Sequence, residues 1–250
     1  MEFEINTFTT PWGAEIKACT RNGTNDWNTL YSCLVQDEYK LAHLNESNPS
    51  KKIAVDIGGH IGGCTLALLS LGYTVYTVEP MPENIEMIKK NVELNNFQNR
   101  SHLFGKAISS KSNEKLILKY GSSLTESGRH HKYIGNTIVL DETNKDNIWN
   151  DGDEILVETV SVDDVMKDIS YVDFLKIDCE GAEWSAFSGA SKETFAKIQR
   201  IAAEVHPTDG REDLYKKMND LIGEDFKDFS SEYFGIIENK NSINLAYFQK

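Results

Sequence analysis

Asp178, Glu180, Glu204 and His206 are residues whose types suit acid–base chemistry, gathered near the ends of two apolar runs. If those runs are strands of one open sheet, Asp178 and Glu180 are delivered at a carboxyl end, where such sheets bind ligands. Glu204 and His206, two apart, share a face. Three carboxylates and an imidazole on one edge can take the proton of an alcohol, worth about 10²–10⁴-fold in rate. The same donors can instead hold a divalent metal ion that acidifies the hydroxyl, and ligand types alone leave that choice open. Asp178 and His206 are the candidate bases, with Glu180 and Glu204 beside them. Plainer roles exist for Glu180, as a carboxylate favoured at a helix N-terminus, and for His206, as a strand-end residue bonded to backbone.

A second set of residues has the form of a nucleotide pocket. The run Ile53-Ala54-Val55-Asp56-Ile57 leads into Gly58-Gly59-His60-Ile61-Gly62, and an apolar segment from Leu66 to Leu71 can then start a helix. A dinucleotide site wants G-x-G-x-x-G, and His60 stands where the second glycine should be. What remains, Asp56-x-Gly58-x-x-x-Gly62, suits a smaller ligand without a pyrophosphate, its amino-acid end against the glycine turn. S-adenosylmethionine fits that description. Glu79 ends the next β-branched run, Thr74 to Val78, about twenty residues past the turn, where an acidic side chain accepts both ribose hydroxyls in a nucleotide-binding unit. Pro80 follows it, and Pro82 is well placed in the first turn of a helix. The plainer reading makes Asp56 and Glu79 ordinary strand-end carboxylates.

These residues need a frame that sets strand ends side by side. Apolar or β-branched runs at Ile53–Ile57, Thr74–Val78, Ser101–Ile108, from Val172 and at Arg200–Pro207 alternate with helical patterns, which predicts an α/β, Rossmann-like, mostly parallel doubly wound sheet. In such a sheet the end of Ser101–Ile108 borders the adenine, so Lys106 and Ala107 are candidate neighbours. Residues 109–160 read as an insertion, in which Leu116-Ile117-Leu118 pairs with Ile155–Val160 and a polar loop, Gly121 to Asn136, forms a lid. His130-His131 in that loop could ligate metal, though such pairs are more often solvated. Ser161 caps a helix carrying Val165, Met166 and Ile169, and Asp209 caps one carrying Leu214, Met218 and Leu221. The end reads as an antiparallel hairpin, Tyr233–Ile237 with Ile243–Phe248. Residues 1–50 read as a helical prologue, with one helix from Trp27 to Leu44. The whole of 1–250 is expected to be a single domain.

The formal net charge of −13, from 26 basic and 39 acidic residues, argues against a nucleic-acid partner. Arg129-His130-His131-Lys132 is the one basic cluster found. The start, Met1-Glu2-Phe3-Glu4, lacks a basic segment followed by an apolar one, and no apolar run reaches a membrane span, so a cytoplasmic protein without membrane insertion is expected. Cys19, Cys33, Cys64 and Cys179 form no C-x-x-C pair and read as reduced, with Cys64 and Cys179 as small buried fillers. Neither a heptad nor an exposed apolar stripe marks an oligomer.

Taken together, Val55-Asp56-Ile57-Gly58-Gly59-His60-Ile61-Gly62, Val78-Glu79-Pro80 and Leu175-Lys176-Ile177-Asp178-Cys179-Glu180-Gly181-Ala182-Glu183-Trp184 resemble the FkbM-type S-adenosylmethionine-dependent methyltransferases. The resemblance runs from about Ile53 to His206 and implies a class I methyltransferase that methylates oxygen, with a small-molecule acceptor such as a sugar or glycan hydroxyl. It implies that Asp56, Gly58 and Gly62 form the turn under the methionine part of the cofactor and that Glu79 holds the ribose. Gly59, His60 and Ile61 belong to the same turn. Ser122-Ser123 resembles a serine-rich stretch of the family, which makes Ser123 a candidate cofactor contact. The family often has Ala-Asn where this chain has Gly59-His60, so a side-chain contact from position 60 differs from the family pattern. Two other functions remain: a nicotinamide-dependent oxidoreductase on the same unit, disfavoured by the missing glycine, and a non-catalytic cofactor-binding module, disfavoured by the four acid–base residues.

Overall fold

The computed structural model describes residues 2–47, 51–120, 122–124, 130–132, 137–139, 153–206, 214–234 and 244–250. It opens with a hairpin of β1 (Phe3–Thr9) and β2 (Glu15–Arg21), then α1 (Asp26–Leu34) and α2 (Ala42–Ser47). A βαβ series follows: β3 (Ile53–Ile57), α3 (Gly63–Ser70), β4 (Thr74–Val78), α4 (Pro82–Leu94) and β5 (Ser101–Phe104). Next come β6 (Ala107–Ile108), β7 (Lys115–Tyr120), β8 (Ser122–Leu124), β9 (His130–Lys132), β10 (Thr137–Val139) and β11 (Asp153–Val160). The remainder is α5 (Val162–Val165), β12 (Val172–Ile177), α6 (Glu183–Ser188), α7 (Lys192–Lys197), β13 (Ile198–Val205), α8 (Leu214–Ile222), β14 (Lys227–Asp228), α9 (Ser230–Phe234) and β15 (Asn244–Gln249).

The central sheet has the order β14-β15-β13-β12-β3-β4-β5. Strands β13, β12, β3, β4 and β5 pair in parallel, while β15 runs antiparallel to both β13 and β14. This is the doubly wound α/β sheet expected, and its winding reverses between β3 and β12, the place where open α/β sheets leave a crevice. Alternation along β3 sends Val55 and Ile57 to one buried cluster and Ala54 to the other, so both sheet faces are covered and the strands read as continuous apolar runs. Asp56 and Lys176, inside two such strands, are therefore exceptional; both are buried.

A second sheet, β10-β7-β11-β6, carries the expected antiparallel pairing of β7 with β11. Residues Ser101–Ile108 do not form one strand. Gly105 breaks the run, β5 stays in the central sheet, and Ala107–Ile108 crosses over to pair in parallel with β11. The N-terminus departs from the helical reading as well. In β2, Ile16 and Ala18 are buried between exposed Glu15 and Lys17, a period-two pattern that marks a strand. The single helix expected over Trp27–Leu44 is two helices, divided by a turn in which Asp37 and Lys40 have φ of 52° and 58°. At the C-terminus Tyr233 and Phe234 lie in α9, residues 235–243 lie outside the described residues, and β15 pairs with β13 and β14. Asp209 and most of the polar stretch Gly121–Asn136 lie outside the described residues. Among the described residues no helix is long and apolar enough to cross a membrane.

Candidate cofactor and acceptor site

The glycine turn after β3 fits its place because two side chains are missing. A Cβ on Gly58, whose φ is 77°, would lie 1.7 Å from the Asp178 carbonyl oxygen, and one on Gly59 would lie 2.4 Å from Thr77 Cγ2. The turn can therefore press against the end of β12 and against β4, where the Gly58 and Gly59 N–H groups donate to the Val78 carbonyl. Asp56 braces it from behind. Fully buried, it accepts from Thr65 Oγ1 at 2.6 Å and faces Lys176 Nζ at 3.5 Å. Ile61 is core, and Gly62 caps α3. Of the residues expected in the turn, Gly58, Gly59 and His60 line the cavity beside it, while Asp56, Ile61 and Gly62 support them from outside it.

That cavity, of about 340 Å³, runs across the carboxyl ends of the parallel strands. At one end Glu79 receives the His60 N–H (2.8 Å), the Met81 N–H (3.0 Å) and Asn84 Nδ2 (3.2 Å), and burial pushes its carboxyl up to about 7. Beyond it Val78, Pro80, Ala107, Ile108 and Leu118 form an apolar slot. Lys106 points away, ion-paired with Glu158 at 3.2 Å. His60 is held neutral, its imidazole lowered to about 4 by burial, and both ring nitrogens are shielded without a hydrogen-bond partner among the described residues. An apolar slot, a carboxylate, a close-fitting glycine turn and an orphaned imidazole in one cavity fit a ligand with an adenine, a ribose and a polar amino-acid tail.

At the other end stand Asp178, Glu180, Glu204 and, from the α1–α2 turn, Glu38 and Tyr39. Lys176, which the motif reading quoted without a role, reaches up from β12. Its Nζ donates to the Gly58 carbonyl (2.7 Å) and the Ile57 carbonyl (3.3 Å) and lies 3.6 Å from Asp178 Oδ2. Burial works against its charge, but Asp178 and Asp56 outweigh burial and hold it well above the ordinary lysine value. Glu204 is raised to about 7 by burial and by Asp178.

His206 does not line this cavity. Its Nδ1 is 3.0 Å from Glu183 Oε1 and its Nε2 is 3.3 Å from Glu180 Oε2. Burial opposes the charge, yet the hydrogen bonds to Glu180 and Glu183 push the imidazole up to about 11. His206 is thus a doubly paired imidazole outside the lining of the cavity, where the sequence suggested a base within reach of the acceptor. Glu183 Oε1 also accepts the Cys179 and Gly181 N–H groups, pinning the turn in which Glu180 has φ 55° and Gly181 φ 100°. Asp178, Glu183 and His206 each bring one donor atom within 4.8 Å of the others. In this set Glu183 Oε1 is engaged by two backbone N–H groups and the imidazole, Glu183 Oε2 is buried without a hydrogen-bond partner among the described residues, and the Lys176 ammonium lies beside Asp178. Ser123 and His130-His131 lie on the backbone of β8 and β9, with side chains outside the described residues.

The domain description "Methyltransferase FkbM domain" matches residues 56–233, a stretch that holds the glycine turn, Glu79, Lys176, Asp178 and His206. The chain belongs to the FkbM methyltransferase family. It is 27% identical over 198 residues, 72% of this chain and 75% of the other, to the 31-O-demethyl-FK506 methyltransferase FkbM of Streptomyces tacrolimicus. Among solved structures it is similar to the T. thermophilus 16S rRNA N2 G1207 methyltransferase (RsmC), with a TM-score of 0.50 and 13% identity. That likeness covers 100% of this chain and 51% of RsmC, so the chain spans about half the length of that protein; at such identity it speaks for the fold alone. Glu38, Tyr39 and the α1 residues Asn28, Thr29 and Ser32 precede the FkbM match and still line the cavity.

Proposed function

We propose that this FkbM-family methyltransferase uses S-adenosylmethionine to methylate a hydroxyl of a small molecule, a sugar or glycan unit in the first instance. The observation that carries the reading is Asp178: it lies in the cavity at the far end from Glu79, with its hydrogen bond and its ion pair both on Oδ2. Among the described residues Oδ1 has no hydrogen-bond partner, which leaves it for the proton of an acceptor hydroxyl. The "31-O" in the name of the Streptomyces relative supports oxygen as the acceptor atom, and the neutral polar wall of Asn28, Thr29 and Ser32 suits a polyhydroxylated ligand.

When bound, S-adenosylmethionine supplies an electrophilic methyl on a sulfonium and leaves as the neutral thioether S-adenosylhomocysteine. Glu79 is the residue to hold the ribose hydroxyls, Ala107 and Ile108 to flank the adenine, and Gly58 to His60 to bear the amino-acid end. Asp178 Oδ1 takes the hydroxyl proton as the acceptor oxygen is alkylated, a contribution of about 10²–10⁴-fold. Positioning by the walls contributes more, ~7–11 kcal/mol in well-aligned systems.

Calorimetric titration with S-adenosylhomocysteine and, in parallel, with NADH tests the cofactor on the wild type and on Glu79→Ala. Binding of S-adenosylhomocysteine alone, lost in the variant, is expected; preference for NADH would favour the oxidoreductase. Incubation with labelled S-adenosylmethionine and a panel of methyl glycosides then separates an active enzyme from a binding module by the appearance of methyl ether.

A further inference from the structure

The turn between α1 and α2 is built to reach into the cavity. Asp37 and Lys40, in left-handed conformations at φ 52° and 58°, bracket Glu38 and Tyr39. Non-glycine residues hold such backbone only where surroundings enforce it. Here the Asp37 carboxylate enforces it by accepting the Leu41 N–H at 2.6 Å and the Ala42 N–H at 3.0 Å, which also starts α2. Tyr39, 4% exposed, donates its hydroxyl to Asp178 Oδ2 at 3.0 Å across 139 residues of chain. Its ring lies 5.4 Å from Lys176 Nζ, whose ammonium approaches the same Oδ2 at 3.6 Å. A carboxylate held through one oxygen by a hydrogen bond and an ion pair is restricted in its rotation, and its other oxygen is aimed.

We propose that Tyr39 is a positioning residue for the acceptor-side base: its hydroxyl, together with the Lys176 ammonium, fixes Asp178 through Oδ2 and so leaves Oδ1 to the acceptor. The inference rests on the proposed methyl transfer and adds to it a residue from outside the stretch that matches the FkbM domain. Burial and the neighbouring Asp178 keep the Tyr39 phenol protonated, so the hydroxyl stays a donor. Packing alone would need only the ring.

The test reads the transfer point without requiring the acceptor. Sinefungin carries a protonated amine where the cofactor carries its transferable methyl, whereas S-adenosylhomocysteine carries nothing there. Their ratio of dissociation constants, measured calorimetrically on the full chain, reports a carboxylate aimed at that point. The wild type is expected to bind sinefungin about ten-fold more tightly, the scale of one charge-assisted hydrogen bond. Asp178→Asn should erase the preference. Tyr39→Phe, which keeps the ring against Lys176, should cut it to about two-fold and leave S-adenosylhomocysteine affinity within about two-fold. Full preference retained in Tyr39→Phe overturns the proposal, as does a wild type with no preference, or a parallel loss of affinity for both ligands in Tyr39→Phe. If the wild type binds neither, the cofactor reading itself fails and takes the positioning role with it.

Discussion

His206 Nδ1 lies 3.0 Å from Glu183 Oε1, an oxygen that also accepts the N–H groups of Cys179 and Gly181. The residue that follows β13 thus holds the turn that presents Asp178 and Glu180. Because the pairing raises the imidazole from 6.5 to about 11, its stabilisation is complete below pH 6.5 and fades as the pH climbs towards 11. His206→Gln removes the counter-charge of a fully buried Glu183, costing roughly 3–5 kcal/mol at neutral pH. The gap in melting temperature between wild type and variant should therefore narrow steadily from pH 7 to pH 10.5. A gap independent of pH would mean that the imidazole is neutral in the folded chain.

Lys176 invites a similar experiment with a different partner. Lys176→Met leaves Asp56 buried without a cation and the Gly58 carbonyl without its 2.7 Å donor. A loss of about 3–5 kcal/mol in denaturant unfolding is expected. Adding Asp56→Asn removes the stranded charge and should restore more than half of that loss, since a buried pair replaced as a unit costs far less than one partner removed. Additive losses in the double variant would show that the two side chains do not act as a pair.

The parallel frame was legible because its strands are buried on both faces and show it: Ile53–Ile57, Thr74–Val78 and Val172–Ile177 are runs of apolar and β-branched residues with turn signals at their ends. The glycine turn and Glu79 were legible from spacing, and both border the cavity. Lys176 could have been found, since a lysine inside such a run has to have a partner. The surroundings of His206 were not legible, because sequence shows that an imidazole is present but not that two carboxylates flank it. Tyr39 was out of reach: its partner is 139 residues away, and the turn that aims it depends on backbone conformations at Asp37 and Lys40 that no local propensity announces. The hairpin was missed for another reason, since Phe3 and Ile5 on β1 are exposed and blur the period.

Glu79 is raised to about 7 by burial, so folding favours its protonated form and stability falls as the pH rises from 4.5 through 7. Glu79→Gln removes that cost, and its melting temperature should match or exceed that of the wild type at pH 8. Cofactor binding should move in the opposite direction. Loss of the charged acceptor for two hydroxyls weakens S-adenosylhomocysteine by roughly 10–100-fold, the scale of one hydrogen bond to a charged group. Undiminished affinity by calorimetry would remove the ribose role from Glu79.

Gly58 and Gly13 share a left-handed backbone, at φ 77° and 84°, but differ in their surroundings. A methyl on Gly13 meets nothing within 4 Å, so Gly13→Ala carries only the conformational penalty of about 1–2 kcal/mol. At Gly58 the same methyl would lie 1.7 Å from the Asp178 carbonyl oxygen, and neither strand end can retreat without breaking the bonds to Val78 and Lys176. Gly58→Ala should therefore lose at least twice as much stability as Gly13→Ala in urea unfolding. The folded remainder should also bind S-adenosylhomocysteine at least ten-fold more weakly, because the turn and Asp178 are forced apart. Equal losses at the two positions would mean that the turn and the end of β12 are not in contact, and the site would have to be rebuilt without that contact.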